Sequence, residues 1–300
     1  MYKIIIWGTG SYYRRFISSI INYELLANNI ELLCFTGNSS GTQFNLPSPF
    51  IPVSDALEHN YDYIIIASET YEKEILNTLL NTYSISSDKI ILGSVFKLSF
   101  FNLSEYIQLK QKKISIIAES CYGGYIYHNL KLQFLSPFIN IRISDYDYVN
   151  LLHNICNFKN ISIVDSFSAP SSQNFMYTYS NYPQLVLNDT KTILNCVHSE
   201  NANTALSEWN KRVSRCNYKH LLYCMIIESD SMLEKFNEIT GITKLGFYYE
   251  PTPYRDILYL PEYKNVSYKY MYSFRSYVHD NIHYDTGVIN LIKTLNNYFN

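Results

Sequence analysis

Short apolar runs recur along this chain, separated by stretches in which apolar positions return every three or four residues. Tyr2–Trp7, Ile30–Phe35, Asp62–Ala67 and Ile90–Leu92 are nearly unbroken apolar segments. This is the pattern of strands covered on both faces. Between them, Phe16, Ile17, Ile20 and Ile21 share one helical face, and Leu57 ends a short segment opened by Ser54. Ile75, Leu76, Leu79 and Leu80 form another face, opened by Ser68. Serines in these positions predict helix N-caps. Strands alternating with helices predict a parallel sheet with right-handed crossovers.

The pattern then repeats in a second half. Residues 100–112 are mildly amphipathic, end in Lys110-Gln111-Lys112-Lys113, and read as a connecting helix. A fresh strand follows at Lys113–Ala118, with later strands at Phe138–Ile143, Ile161–Val164, Ile193–Val197, Leu221–Ile227 and Leu245–Tyr248. Ser144 and Asp147 predict a capped helix bearing Val149, Leu152 and Cys156. Residues 202–216 place Leu206, Trp209, Val213 and Cys216 at helical spacing, leaving Glu208, Lys211, Arg212 and Arg215 toward the other face. Met232–Ile239 is a helix stopped by Gly241, and Val288–Phe299 closes the chain. The expected architecture is α/β. A Rossmann-like parallel sheet occupies residues 1–99, and a larger α/β domain with a mostly parallel or mixed sheet occupies 113–300.

Length supports two cores, since 300 residues exceed the size at which one core stops growing. Lys and Arg (24) nearly balance Asp and Glu (26), for a net charge of −2, so no nucleic-acid footprint is expected. The six cysteines form neither a CxxC pair nor a metal-type Cys/His spacing. They read as reduced thiols of a cytoplasmic protein. No apolar run approaches the roughly 18 residues that cross a bilayer. The 30 tyrosines accompany abundant Asn, Ile and Lys, which fits AT-rich coding better than a carbohydrate-stacking surface.

Two strand-to-glycine turns are the candidate ligand sites. Gly8-Thr9-Gly10 follows the first strand and can present backbone N–H groups to a phosphate, with Arg14 and Arg15 nearby. Tyr13 replaces the third glycine of a dinucleotide fingerprint, and the second strand ends in Thr36-Gly37-Asn38 without an acid, so NAD is not expected. Gly8 and Gly10 are candidate cofactor-binding positions for an unspecified cofactor. The stronger signal is Glu119-Ser120-Cys121-Tyr122-Gly123-Gly124, where a glycine pair after a strand permits positive φ and close approach of a ligand.

"IIIWGTG", "LPSPFIPVSDAL" and "DYIIIAS" together resemble small Rossmann modules fused to sugar-modifying enzymes of capsule and lipopolysaccharide pathways. "SCYGGYIYHNLKLQFLSPFINI", "NYPQ" and "VHSENANTALSEWNKRVSRCNY", in that order over residues 113–260, resemble the family known as domain of unknown function nineteen-nineteen, met among exopolysaccharide and capsule genes. The match runs through Cys121, Tyr122, Gly123, Gly124, Ser136-Pro137, Tyr182-Pro183, His198, Trp209, Arg212 and Arg215. Glu119-Ser120 stands where that family carries two asparagines. The resemblance implies a pathway neighbourhood and no mechanism.

The function expected from these residues is a glycosyltransferase-like transferase acting on a nucleotide-activated or phosphate-bearing small molecule. Ser120, Gly123 and Gly124 would hold the substrate, Arg212 and Arg215 would neutralise phosphate from one helix face, and His198 and Glu119 would serve proton transfer. One alternative is a non-catalytic binding or assembly protein in which both Rossmann-like turns have lost their ligands; a homo-oligomer is compatible with each of these readings. Another is a thiol enzyme in which the helix terminus lowers the pKa of Cys121 and His198 is its base. Asp145-Tyr146-Asp147 reads as a capping pair rather than a metal site, Trp209 as core, and Glu250 as a lone loop acid.

Overall fold

A computed structural model describes residues 1–38, 46–154, 158–164, 182–265 and 273–299. The chain divides into two compact units, Met1–Gln111 and Lys112–Asn300. Cys156 lies outside the described residues.

In the first unit, β1 (Tyr2–Trp7) leads through Gly8–Gly10 into a π turn at Tyr13–Ile17 and helix α1 (Ser18–Leu26). After β2 (Ile30–Thr36) come α2 (Val53–Glu58), β3 (Tyr63–Ile66), α3 (Glu72–Asn77), β4 (Ile90–Leu92) and α4 (Leu103–Lys112). The four strands are parallel in the order β2-β1-β3-β4. Their centres are fully buried, as the unbroken isoleucine runs require. Tyr13, at the place of a third glycine, packs its ring edge-on against Phe35 at 5.1 Å, and the helix widens to a π turn there. Ser54 does not cap α2: Pro52 holds the N-cap position and Ser54 lies inside the helix, bonded to Asp55. Proline needs no N–H there, which is why it can open the helix. Ser68 does accept from the Tyr71 N–H, just ahead of α3. The helix α4 belongs to the first unit: it buries Leu103, Tyr106, Ile107 and Leu109, and the buried Glu24 accepts from the Ser104 N–H and Oγ.

The second unit holds two sheets rather than one. A parallel sheet of order β12-β11-β10-β5 comprises β5 (Ser115–Ala118), β10 (Leu221–Ile226), β11 (Lys244–Tyr248) and β12 (Ile257–Tyr259). An antiparallel sheet of order β6-β9-β8-β7 comprises β6 (Ile141–Arg142), β7 (Ile161–Ile163), β8 (Gln184–Leu187) and β9 (Thr192–Cys196). Helices α5 (Tyr122–Asn129), α6 (Asp145–His153), α7 (Ala202–Val213), α8 (Asp230–Glu238), α9 (Phe274–His283) and α10 (Leu291–Asn297) complete it. One core joins both sheets, with Ile117 and Met225 of the parallel sheet, Leu185 and Leu194 of the antiparallel one, and Tyr148, Trp209 and Phe236 from helices.

Local chemistry sets several boundaries. Ser144 caps α6 by accepting from the Asp147 N–H while donating to the Asp147 carboxylate, so Asp147 of the Asp-x-Asp pair is used at the helix start. Asn201, Ser229 and Ser273 cap α7, α8 and α9 in the same way. Gly241, at φ +78°, sits in the left-handed region after α8. The buried Lys244 spreads its ammonium over the carbonyls of Phe236, Asn237 and Ile239, satisfying the end of α8. Three elements carry no expectation from the sequence: β8, β12 and α9. The strand expected at Phe138–Ile143 is shortened to two residues.

Candidate active site

Two acids stand directly beyond adjacent parallel strands: Glu119 after β5 and Glu228 two residues beyond β10. The carboxyl ends of such strands are where open α/β sheets place ligands. The Ile143 N–H bonds the Glu119 carbonyl, which brings the start of α6 and its Asp145 beside them. Helix α9 crosses this rim and supplies Arg275. The guanidinium donates Nη1 to Glu119 (2.7 Å), Nη2 to both oxygens of Asp145 (2.9 and 3.1 Å) and Nε to Glu228 (3.0 Å). One planar cation thus ties together four segments of the unit.

The electrostatics follow from burial. The Glu119 side chain is 0% exposed, and burial pushes its pKa up to about 7 against the pull of Arg275. It also accepts from the Tyr122 hydroxyl (2.8 Å) and the Ile226 N–H (3.2 Å). Asp145 is likewise raised by burial. Burial works against the charge of Arg275, but Glu119, Asp145 and Glu228 outweigh it and hold the guanidinium protonated.

One turn beyond Arg275 on the same face of α9 stands His279. Its Nε2 lies 2.9 Å from Ser120 Oγ, immediately after Glu119. Burial, then the charges of Arg275, Arg142 and His283, lower the imidazole to about 4. It is therefore neutral near pH 7. The bond requires an unprotonated Nε2 if Ser120 is the donor. The rings of Tyr122 and Tyr125 meet His279 edge-on at 5.5 and 6.1 Å.

Several of the expected site residues stand apart from this cluster. Gly123 and Gly124 lie inside α5 and adopt no positive φ. Gly123 is instead a packing residue, for a Cβ there would stand 3.0 Å from the Ala118 Cβ. Burial raises the Cys121 thiol instead of the helix terminus lowering it, with Arg142 opposing only in part. His198 is exposed in the turn after β9 and makes no hydrogen bond to Cys121. Arg212 is engaged with the Ile139 carbonyl and Glu208, both at 2.8 Å. Arg215 is exposed in the turn past the end of α7, so the two arginines do not share one helix face. Trp209 is core, its Nε1 donating to the Phe158 carbonyl at 2.9 Å, and Glu250 pairs with Lys264 at the surface.

Glu119 and Ser120 are thus the predicted site residues brought into a cluster, while Asp145, Glu228, Arg275 and His279 were missed as site residues. The missed signal is the cap Ser273 followed by Phe274, Tyr277, Val278 and Ile282, an apolar face that leaves Arg275 and His279 together beside it. Gly8 and Gly10 line a separate cleft in the first unit.

The fold and this rim define an α/β protein whose parallel sheet carries a serine–histidine pair beside an arginine-centred carboxylate cluster. Residues 92–293 match the family described as "Domain of unknown function (DUF1919)", and the chain belongs to that family. Residues 1–91 match "C2185-like, N-terminal". A similar protein is an "Uncharacterized protein" of Haemophilus influenzae, 28% identical over 158 residues, which span 51% of this chain and 70% of that protein. Among the described residues no helix is long and apolar enough to cross a membrane.

Proposed function

We propose that the second unit is an acyl-transfer or ester-hydrolysis enzyme in which Ser120 is the nucleophile and His279 its general base. The observation that carries this is the 2.9 Å contact between Ser120 Oγ and a neutral imidazole at the carboxyl end of a parallel strand. Ser120 Oγ attacks the carbonyl carbon of an ester as its proton passes to His279 Nε2. The N–H groups of Tyr122 and Gly123, ahead of the first bonds of α5 to the Cys121 carbonyl, are the donors nearest in sequence for the resulting oxyanion. Collapse breaks the bond to the leaving oxygen, which takes the proton from His279. Water or an acceptor hydroxyl then releases the acyl group by the same steps.

Arg275 is a positioning residue. Its carboxylate bonds fix α9 and with it His279 beside Ser120. Among the described residues, no carboxylate bonds His279 Nδ1, so the constellation is a dyad. Glycosyl transfer with Arg212 and Arg215 on a phosphate has lost its geometric basis, since the first is engaged internally and the second lies off the helix. An O-acylated saccharide is the substrate class that joins this chemistry to the capsule resemblance.

The test is labelling by a fluorophosphonate probe together with hydrolysis of p-nitrophenyl acetate. Wild type should label and turn over. Ser120→Ala should lose labelling, and both Ser120→Ala and His279→Ala should lose at least 100-fold in kcat. Equal hydrolysis by Ser120→Ala, or no labelling of the wild type, would sink the reading.

A further inference from the structure

We infer that the first unit holds a second ligand site, for a phosphate-bearing small molecule of nucleotide size. A cleft of about 710 Å³ opens at the carboxyl ends of β1 and β3, lined among others by Gly8, Gly10, Tyr12, Arg15, Ser68 and Tyr71. In the order β2-β1-β3-β4 the chain leaves β1 for one edge of the sheet and returns across it to β3. The crevice between those two strands is the switch point at which such sheets accept ligands. Its volume lies within the roughly 300–1,000 Å³ range of small-molecule sites.

The two glycines differ in what they require. Gly8 adopts φ +106°, and a Cβ there would lie 3.2 Å from the Ala67 carbonyl oxygen, so the turn itself demands glycine. Gly10 has no positive φ, and a Cβ there would meet nothing within 4 Å. The backbone does not need glycine at this position. What its bareness provides is open space along the lining of the cleft.

Among the described residues the lining carries one cation, Arg15, and two acids, Glu69 and Glu74, so an anionic ligand must reach the cleft from the Arg15 side. Lys97, nearby, is committed to Glu69 at 2.5 Å. Arg15 is exposed, lies over the Phe16 ring at 5.0 Å and has no carboxylate partner among the described residues, so its forked N–H donors are available to a phosphate. Tyr12 donates to the Gly93 carbonyl, which fixes its ring beside the cleft. On the β3 side Tyr71 leaves 61% of its surface exposed, a face on which a flat ring can stack. The end of β2 offers Gly37 and Asn38 and no acid, whereas Glu69 and Glu74 line the β3 side of the cleft.

The test is calorimetric titration of the full chain with ADP, UDP, NAD and inorganic pyrophosphate. At least one of ADP, UDP and NAD should bind tenfold or more tighter than inorganic pyrophosphate; pyrophosphate binding as tightly as the nucleotides overturns a site of nucleotide size. Arg15→Gln should weaken binding at least tenfold. Gly10→Leu, whose side chain enters open space, should abolish binding while its unliganded melting temperature stays that of the wild type. Ser120→Ala should bind as the wild type does, which separates this site from the ester chemistry. No binding of any phosphate compound, or unchanged affinity in both cleft variants, overturns the inference.

Discussion

Arg275 shows how much one side chain can organise. It satisfies a carboxylate that is wholly buried, and removing it raises the Glu119 pKa further above 7, so that Glu119 stays protonated at neutral pH and becomes a stranded charge only when it ionises in alkali. Arg275→Met should therefore lose about 3–5 kcal/mol above about pH 8 and less at pH 7, read from urea unfolding. Adding Glu119→Gln should recover part of the alkaline loss, because that charge can then no longer form. If the double variant is no more stable than Arg275→Met, the pair is not the coupled unit described. Arg275→Lys should keep the charge yet lose the fork that reaches three carboxylates, lowering kcat for ester hydrolysis more than it changes KM.

At the scale of elements, the packing of α5 on β5 depends on a missing side chain. Gly123→Val would force atoms into the Ala118 contact and should cost about 1–3 kcal/mol. Gly124 meets only Ile139 at an ordinary 3.8 Å. Gly124→Ala should therefore be neutral or stabilise by up to about 1 kcal/mol, since glycine is a poor helix former. Urea unfolding midpoints of the two variants check both signs, and equal losses would contradict the packing role assigned to Gly123 alone. The helix α9 teaches a related lesson. Its apolar face was present in the sequence, but it sits among aromatic segments that offered no obvious strand or turn pattern around it.

For the whole molecule, His279 makes stability depend on acidity. Its folded pKa, about 4, lies below the ordinary 6.5. The unfolded chain therefore binds the extra proton first, and the contribution is complete above about pH 6.5 and lost as pH falls toward 4. Glu119 acts oppositely: raised from 4.5 to about 7, it favours the fold at low pH and loses that contribution as pH rises through 7. His279→Gln should remove the acid-side loss and leave the opposite trend. Melting temperatures of both proteins from pH 7 to 4 check this, and parallel curves would contradict it.

The alternation of apolar runs and helical faces determined by itself the α/β class, the buried strands β1, β3, β5 and β10, and the caps at Ser68 and Ser144, because burial and capping act within a few neighbouring residues. It also marked Glu119 and Ser120, since a polar pair ending an apolar strand is a local feature. Only the tertiary structure decided which distant groups meet them. The union of Arg275 and His279 with Ser120 spans more than 150 residues, and no local spacing encodes it. The same holds for Gly123, Arg212 and Arg215, whose roles depend on what lies across from them rather than on what lies beside them in the chain.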